Sequence, residues 1–320
     1  MLISKTPYRF SFFGGGTDFT EYFNHYKTKV IGTTIDKYIY ITKNYYKPTD
    51  SINIKLFYKR VELIKNVNEI KHSVIKKLLQ KNKYREFELH FISDLPSYSG
   101  LGSSSSFSTG LINLLNYLDK KKISKRELAK FVINFERKEL KESVGYQDQI
   151  FSTHGGFNII KFYKNEFSVE NMPINNDLKV IEDNSFIIHT KLKRRANDIE
   201  KKKLKKFKKN LKNLKEISDI SNEAYGYLKK GILNKNFSYL MKASWSLKKS
   251  LHKKVSNFEI EELYENGLKN GAECGKILGA GNGGFMYFFV PKERQKRFLM
   301  KFKNAIKINF CKKGTSILKI

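Results

Sequence analysis

Residues 87–118 constrain the fold more than any other stretch of this chain. "FELHFISDLP" (87–96) alternates as a half-buried strand does and is closed by Pro96. "SYSGLGSSSS" follows and runs directly into "FSTGLINLLNYLD", which is apolar at Phe107, Leu111, Leu114, Leu115 and Leu118, a helical spacing. Strand, glycine–serine turn and apolar helix in succession put a tight loop at the head of a core helix. A helix N-terminus has unpaired N–H groups and a partial positive charge, so such a loop suits a phosphate. Gly100 and Gly102, on either side of Leu101, permit close backbone approach. Ser103, Ser104, Ser105 and Ser106 offer hydroxyls to a phosphate, to Mg²⁺ or to the helix itself as caps. A flexible linker does not lead into so apolar a helix, and no Gly-Lys-Ser/Thr ending makes this a Walker A loop. The residues alone leave phosphate binding and plain N-capping both open.

Around this unit the chain mixes strands and helices without a βαβ rhythm. "YRFSFFGG" (8–15), "KVIGTTIDKYIYITKNYY" (29–46) and "INIKLFYKRVELI" (52–64) read as strands, and 66–82 as helix. "SKRELAKFVINFERKEL" (124–140) is a helix opened by Ser124 and Glu127 as a capping box. Strands return over 155–174, and Pro173 with Asn175 and Asn176 marks a junction between domains at 1–174 and 175–320. Beyond it come a strand at 183–190 and helices near 196–233, 236–252 and 258–270. A glycine turn and strand (275–291), a helix from about 292 and a closing strand at 315–320 finish the chain. This order implies an α+β fold of two domains.

Lysine and arginine number 62 against 31 acidic residues, a net charge of +31. That balance admits nucleic acid or anionic ligands as partners. The excess is spread along the chain, however, and its densest patch, "IEKKKLKKFKKNLKNLKEI" (199–217), carries Ile199, Leu204, Phe207, Leu211, Leu214 and Ile217 at helical spacing. We therefore read it as a core helix with a solvated lysine face, and expect no nucleic-acid partner. No run approaches the ~20 apolar residues of a membrane span, so no membrane partner is expected either. The start reads as mature sequence and not as a signal peptide. Cys274 and Cys311 show no metal or pairing pattern and the six histidines no ligand motif, so we expect buried thiols, a cytoplasmic setting and no structural metal.

Three further stretches hold candidate chemistry. "FFGGGTDF" (12–19) is a glycine turn ending in a carboxylate, Asp18. "GAGNGG" (279–284) matches GxGxxG formally, but a strand and not a helix follows, which reads as a glycine-rich β-turn. In "NFERKELKESVGYQDQIF", Glu136, Glu139 and Glu142 share a broad helical face. Asp148, between Gln147 and Gln149, stands at a core edge where a carboxylate can act as general base.

Taken in order, "PYRFSFFGGGTDF", "LPSYSGLGSSSSF", "GYQDQ" and "ILGAGNGGF" resemble the motifs of the GHMP kinase superfamily across nearly the whole chain. The resemblance implies an N-terminal domain like ribosomal protein S5 domain 2, an α+β C-terminal domain and a site in the cleft between them. It implies ATP and Mg²⁺, with residues 100–106 around the ATP phosphates and Ser104 and Glu136 on the metal. Arg9 would stabilise the nucleophile and the transferring phosphoryl, and Asp148 would take the acceptor hydroxyl's proton or orient that hydroxyl. Gly15, Gly16, Thr17 and Asp18 would hold the sugar, with Gly281 and Gly283 of the third motif beside it. Within the superfamily "KESVGYQDQIFSTHGGFN" and "SWSLKKSL" are most similar to the branch acting on the anomeric hydroxyl of a heptose 7-phosphate, so the implied partners are a phosphosugar and ATP. Such a substrate needs a cation for its remote phosphate. Arg194 aligns with the branch's arginine, although Lys191 replaces a glycine and Lys193 and Arg195 flank it; Lys248 and Lys249 are second candidates. Asn282 stands where the third motif usually has glycine, a position Asn tolerates in a left-handed backbone. Kinases of unphosphorylated sugars and a nucleic-acid-binding protein are the competing readings, and the sequence sets no oligomeric state.

Overall fold

Period-two patterning in the first half becomes long paired strands. A computed structural model of the chain describes residues 1–48, 51–81, 86–192, 200 and 207–320. β1 (Leu2–Phe13) and β2 (Thr28–Asn44) pair antiparallel from Leu2↔Lys43 to Phe13↔Ile31, with bulges at Pro7/Arg9 and Ser11/Phe13. A bulge bends a strand and re-aims its side chains, and these two bracket Arg9 and Ser11. The first sheet is completed by β3 (Ile54–Phe57), β4 (Val61–Ile64), β5 (Phe87–Ser93), β6 (Phe157–Tyr163) and β7 (Glu166–Met172). A second sheet is formed by β8 (Ser185–His189), β9 (Cys274–Ile277), β10 (Phe285–Phe289) and β11 (Ile306–Lys307), in the order β11-β8-β10-β9. The last strands, β12 (Phe310–Cys311) and β13 (Ser316–Lys319), return to β2 and β1. The fold is α+β.

Ten α-helices of the described residues surround the sheets: α1 (Thr20–Phe23), α2 (Ser73–Gln80), α3 (Ser103–Leu118), α4 (Lys125–Asn134), α5 (Gln147–His154), α6 (Asn176–Asp183), α7 (Phe207–Lys229), α8 (Leu233–Ser250), α9 (Phe258–Lys269) and α10 (Gln295–Lys301). Ser124 caps α4 with Glu127 as expected. The expected helix at 66–82 is shorter, a 3₁₀ turn at Val67–Glu69 followed by α2. The segment 275–291 is a full hairpin, since "CGKI" forms β9 ahead of the turn and pairs with β10. Asn175 caps α6, a helix that the Pro-Asn signals had suggested only as a junction. The lysine-rich segment behaves as its spacing implies over the described part: Leu214 and Ile217 are buried against Tyr22 and Leu251, while Lys208, Lys209, Lys212 and Lys215 are exposed. Ile199 and Leu204 lie outside the described residues.

A shared core locks the sheets together. Phe10 and Phe12 of β1 meet Tyr287 of β10 with ring centroids 4.6 and 6.1 Å apart, and Phe237 of α8 packs on Phe12 and Tyr287. Aromatic contacts of this kind add roughly 0.5–1.5 kcal/mol each beyond area burial. They fix β1, which carries Arg9, against the hairpin that carries the third glycine motif. No helix among the described residues is long and apolar enough to cross a membrane.

Candidate active site

Where β1, the loop before α3, the turn before α5 and the β9–β10 hairpin converge, they enclose a cleft of about 390 Å³. One of its walls is the head of α3. The helix begins at Ser103, and its N-cap is Gly102 in the left-handed conformation (φ 76°), which has no side chain to occupy the first N–H groups. Plain capping by the serine run is therefore not what the structure contains. Ser105 Oγ instead donates to Glu136 Oε2 (2.9 Å), and Ser106 Oγ to Pro7 O (2.9 Å). Ser103 and Ser104 line the cleft, and Ser104 is exposed to it.

Arg9, only 5% exposed, organises the floor. Its Nε and Nη2 donate to Asp148 Oδ1 and Oδ2, both at 2.7 Å, and its Nη1 donates to Gly100 O at 2.8 Å. This bidentate fork ties the carboxylate to the glycine–serine loop with charge-assisted bonds. Asp148 stands in the first turn of α5, directly after the turn that contains Gly145. Asp18 is fully buried beside it and accepts from Gly16 N (3.0 Å), Gln147 N (3.1 Å) and Gln147 Nε2 (3.2 Å). Burial pushes Asp18 up to about 6 against the pull of the Gln147 N–H, and the neighbouring Asp148 charge adds to the rise.

Glu136 lies behind Ser105, fully buried on a π-helical turn, Phe135–Glu139, that continues α4. π-turns of this kind locally re-aim side chains and often mark functional sites. Gln149 Nε2 and Ser105 Oγ both donate to its Oε2, while Oε1 is buried without a hydrogen-bond partner. Burial holds this carboxyl up at about 7; Gln149 opposes the shift and the Glu142 charge adds to it. An orphaned carboxylate oxygen beside a phosphate-type loop is donor chemistry that fits Mg²⁺, a cation that draws most of its ligands from phosphate and water. Among the described residues no cluster of three or more His, Cys, Asp or Glu gathers around a metal position. The serine in contact with Glu136 is Ser105 and not Ser104.

Of the residues singled out in the sequence, Arg9, Gly15, Gly16, Asp18, Gly100, Gly102, Ser103, Ser104, Ser105 and Asp148 line the cleft. Several others do not. Leu101 is buried and contributes its carbonyl to Arg9 N (3.0 Å). Thr17 is also buried, its hydroxyl engaged with Gly14 O and Thr28 Oγ1, both at 2.8 Å. Gly281 and Gly283 back onto Val255 and Leu192, and the third motif reaches the cleft through Gly279 and Ala280. Lys248 lines the cleft and donates to Ile277 O (2.7 Å), whereas Lys249 pairs with Glu261 (2.8 Å). Arg194, with Lys193 and Arg195, lies outside the described residues. Both departures from the family pattern have left-handed backbone: Asn282 at φ 61° and Lys191 at φ 61°. Glu142 and Gln147, named above only beside Glu136 and Asp148, line the cleft too, as do Ser11, Ser244 and Lys276, which no motif singled out. For Lys276 the available signal was a lone lysine inside the apolar run from Cys274 to Leu278.

Comparison with known proteins places this geometry in context. The family of GHMP kinases N terminal domains matches residues 64–156. A D-glycero-alpha-D-manno-heptose 7-phosphate kinase of Campylobacter jejuni is 32% identical over 308 residues, covering 91% of this chain and 90% of that protein. Among solved structures, a D-glycero-D-manno-heptose 1-phosphate kinase of Bacteroides thetaiotaomicron superposes with a TM-score of 0.80 at 21% identity, covering 100% of this chain and 99% of that one. A galactokinase of Lactococcus lactis complexed with galactose superposes with a TM-score of 0.72 at 18% identity, covering 100% and 95%. At these identities the two structures speak for the fold alone.

Proposed function

The chain belongs to the GHMP kinase family, and from that premise we propose that it transfers the γ-phosphoryl of ATP to the anomeric hydroxyl of D-glycero-D-manno-heptose 7-phosphate, giving the 1,7-bisphosphate. The observation that carries this reading is the Arg9 fork. One guanidinium joins Asp148, which would face the acceptor hydroxyl, to Gly100 O of the loop that would hold the donor phosphates. Phosphoryl transfer asks a protein mainly for alignment and for neutralisation of developing charge. The free N–H groups at the head of α3 cradle the phosphates, and Arg9 supplies fixed positive charge where donor and acceptor meet. Asp148 receives or orients the hydroxyl proton, and Asp18, held rigid by Gln147, anchors sugar hydroxyls. Mg²⁺, with Glu136 and Ser104 as its protein ligands, would neutralise phosphate charge. Lys248 at the cleft wall is the candidate for the substrate's remote phosphate. The two free cysteines suit a cytoplasmic setting.

The test is ADP release from MgATP against heptose 7-phosphate, free heptose, mannose, galactose, L-fucose and mevalonate. The proposal expects turnover with the heptose phosphate and its loss in Asp148→Ala. Equal turnover of a neutral sugar would remove the remote-phosphate site from the account.

A further inference from the structure

Arg9, Lys248 and Lys276 are the cations that line the cleft among the described residues, and the transfer proposed above leaves Lys276 idle. Lys276 sits on β9, whose four residues are all buried, and only 6% of it is exposed. An ammonium in such surroundings is unfavourable unless a polar or charged group meets it. Phe12 O on β1 accepts one of its hydrogen bonds. Since an ammonium has three donors, that contact leaves two for a ligand.

Among the described residues no neighbouring element brings it a counter-charge. Arg9 faces it from β1, with its own charge matched by Asp148 of α5. Tyr287 pairs with it across β10, a phenol that burial raises well above its usual range. Cys274 shares its strand and is pushed up to about 12 by burial. Lys248 reaches from α8 to Ile277 O, and Asp18 is engaged by Gly16 and Gln147. No carboxylate forms a salt bridge with Lys276 among the described residues. Burial first, and the Arg9 charge second, bring this lysine down to about 7. An anion arriving beside it opposes both, because its charge favours the ammonium form.

Location identifies the anion. Lys276 is anchored to β1 three residues from Arg9, and Arg9 links the acceptor carboxylate to the phosphate loop. The group that crosses this corner is the phosphoryl in flight. We propose that Lys276 is a further catalytic residue, whose ammonium contacts the transferring phosphoryl group and draws a proton from solvent as that group enters. The inference rests on the kinase reading. One N–H bond forms on Nζ at the expense of solvent or buffer, and the new charge meets the phosphoryl oxygens in a water-poor corner. When the γ-phosphoryl has left, the ammonium is again isolated and returns the proton.

Isothermal titration at pH 8 in two buffers of different ionisation enthalpy reads this directly. Three ligands are compared: MgATP without acceptor, MgADP, and heptose 7-phosphate. A group near 7 is mostly neutral at pH 8, so MgATP should take up about 0.9 proton per site, and MgADP and the phosphosugar close to none. Lys276→Met should abolish the uptake, weaken MgATP about tenfold more than MgADP, and lower kcat with the heptose phosphate KM unmoved. Lys276→Arg, permanently charged, should bind MgATP without uptake. Because Met replaces a buried ammonium, its Tm at pH 6 should rise, which separates lost binding from lost folding. Uptake that persists in Lys276→Met, or that follows the phosphosugar and not MgATP, overturns the assignment. MgATP binding to the unmodified protein without uptake also overturns it but leaves the kinase reading intact. Failure to bind MgATP at all overturns both.

Discussion

Truncating Asp148 to alanine strips Arg9 of both acceptors in its fork, each at 2.7 Å, and leaves a 5%-exposed guanidinium holding only Gly100 O. Removing one partner of a buried ion pair costs about 3–5 kcal/mol. The Asp148 side chain is 24% exposed, so water from the cleft reaches the pair and the lower end, about 3 kcal/mol, applies. Arg9→Met leaves a carboxylate that the same water can solvate and also frees Gly100 O, for about 2 kcal/mol. With both gone no unpaired charge remains, and the double variant should lose about 3 kcal/mol, not 5, a coupling of about 2 kcal/mol. Urea unfolding of the four proteins at one pH measures the cycle. Activity follows a different pattern, because either single change removes the group that joins donor loop to acceptor, and each should cost kcat at least about 10²-fold. If the two stability losses add within about 0.5 kcal/mol, the fork is not the coupled unit described here and its role in aligning the cleft fails with it.

Other consequences are equally concrete. A Cβ on Gly145 would stand 2.0 Å from Asp18 Oδ2, so Gly145→Ala should displace that carboxylate, cost about 1–3 kcal/mol of stability and raise KM for the acceptor more than for ATP. Steady-state kinetics with each substrate varied in turn checks the asymmetry. Lys191 holds a left-handed backbone, so Lys191→Gly should gain about 1 kcal/mol in urea unfolding without any new contact, and a loss would contradict the strain. Glu136 and Asp18 titrate near 7 and 6 in the fold, above their values in an unfolded chain. Carboxyl groups raised in this way contribute stability that is present below about pH 4 and lost as pH rises through 6–7. The penalty approaches about 3 kcal/mol for each once ionised. Glu136→Gln escapes its share, so the stability gap between variant and parent should widen in the variant's favour from pH 4 to pH 8. A gap constant with pH would show that Glu136 is not the buried acid described.

Much of the fold and the heart of the site could be read from residues because the signals were local. The strand–glycine–serine–helix unit rests on contiguous periodicity, and the Ser124–Glu127 capping box closes within one turn. Arg9, Asp18 and Asp148 came from ordered motifs that the cleft does bring together. What escaped depends on tertiary geometry. α5 is eight residues long and starts on polar side chains, so helical periodicity has too few repeats to register. Which serine faces Glu136 is set by the π-turn after α4, and no spacing rule forecasts a π-turn. The family resemblance implied Thr17 as a sugar-holding residue, yet the turn folds its hydroxyl inward onto Thr28. Gly281 and Gly283 carry the motif's curvature while their neighbours Gly279 and Ala280 face the cleft. Lys276 was hidden because β9 is four residues long and merges into the glycine turn.

What distinguishes this enzyme from a kinase of neutral sugars is anomeric phosphorylation of a sugar that already bears a phosphate. Phosphorus NMR of the products from heptose 7-phosphate and MgATP tests it most directly. The expected spectrum contains ADP, the unchanged 7-phosphate signal and one new phosphoryl signal coupled to the anomeric proton. A new signal coupled to any other proton, or ADP formed with free heptose as readily as with its 7-phosphate, would contradict it.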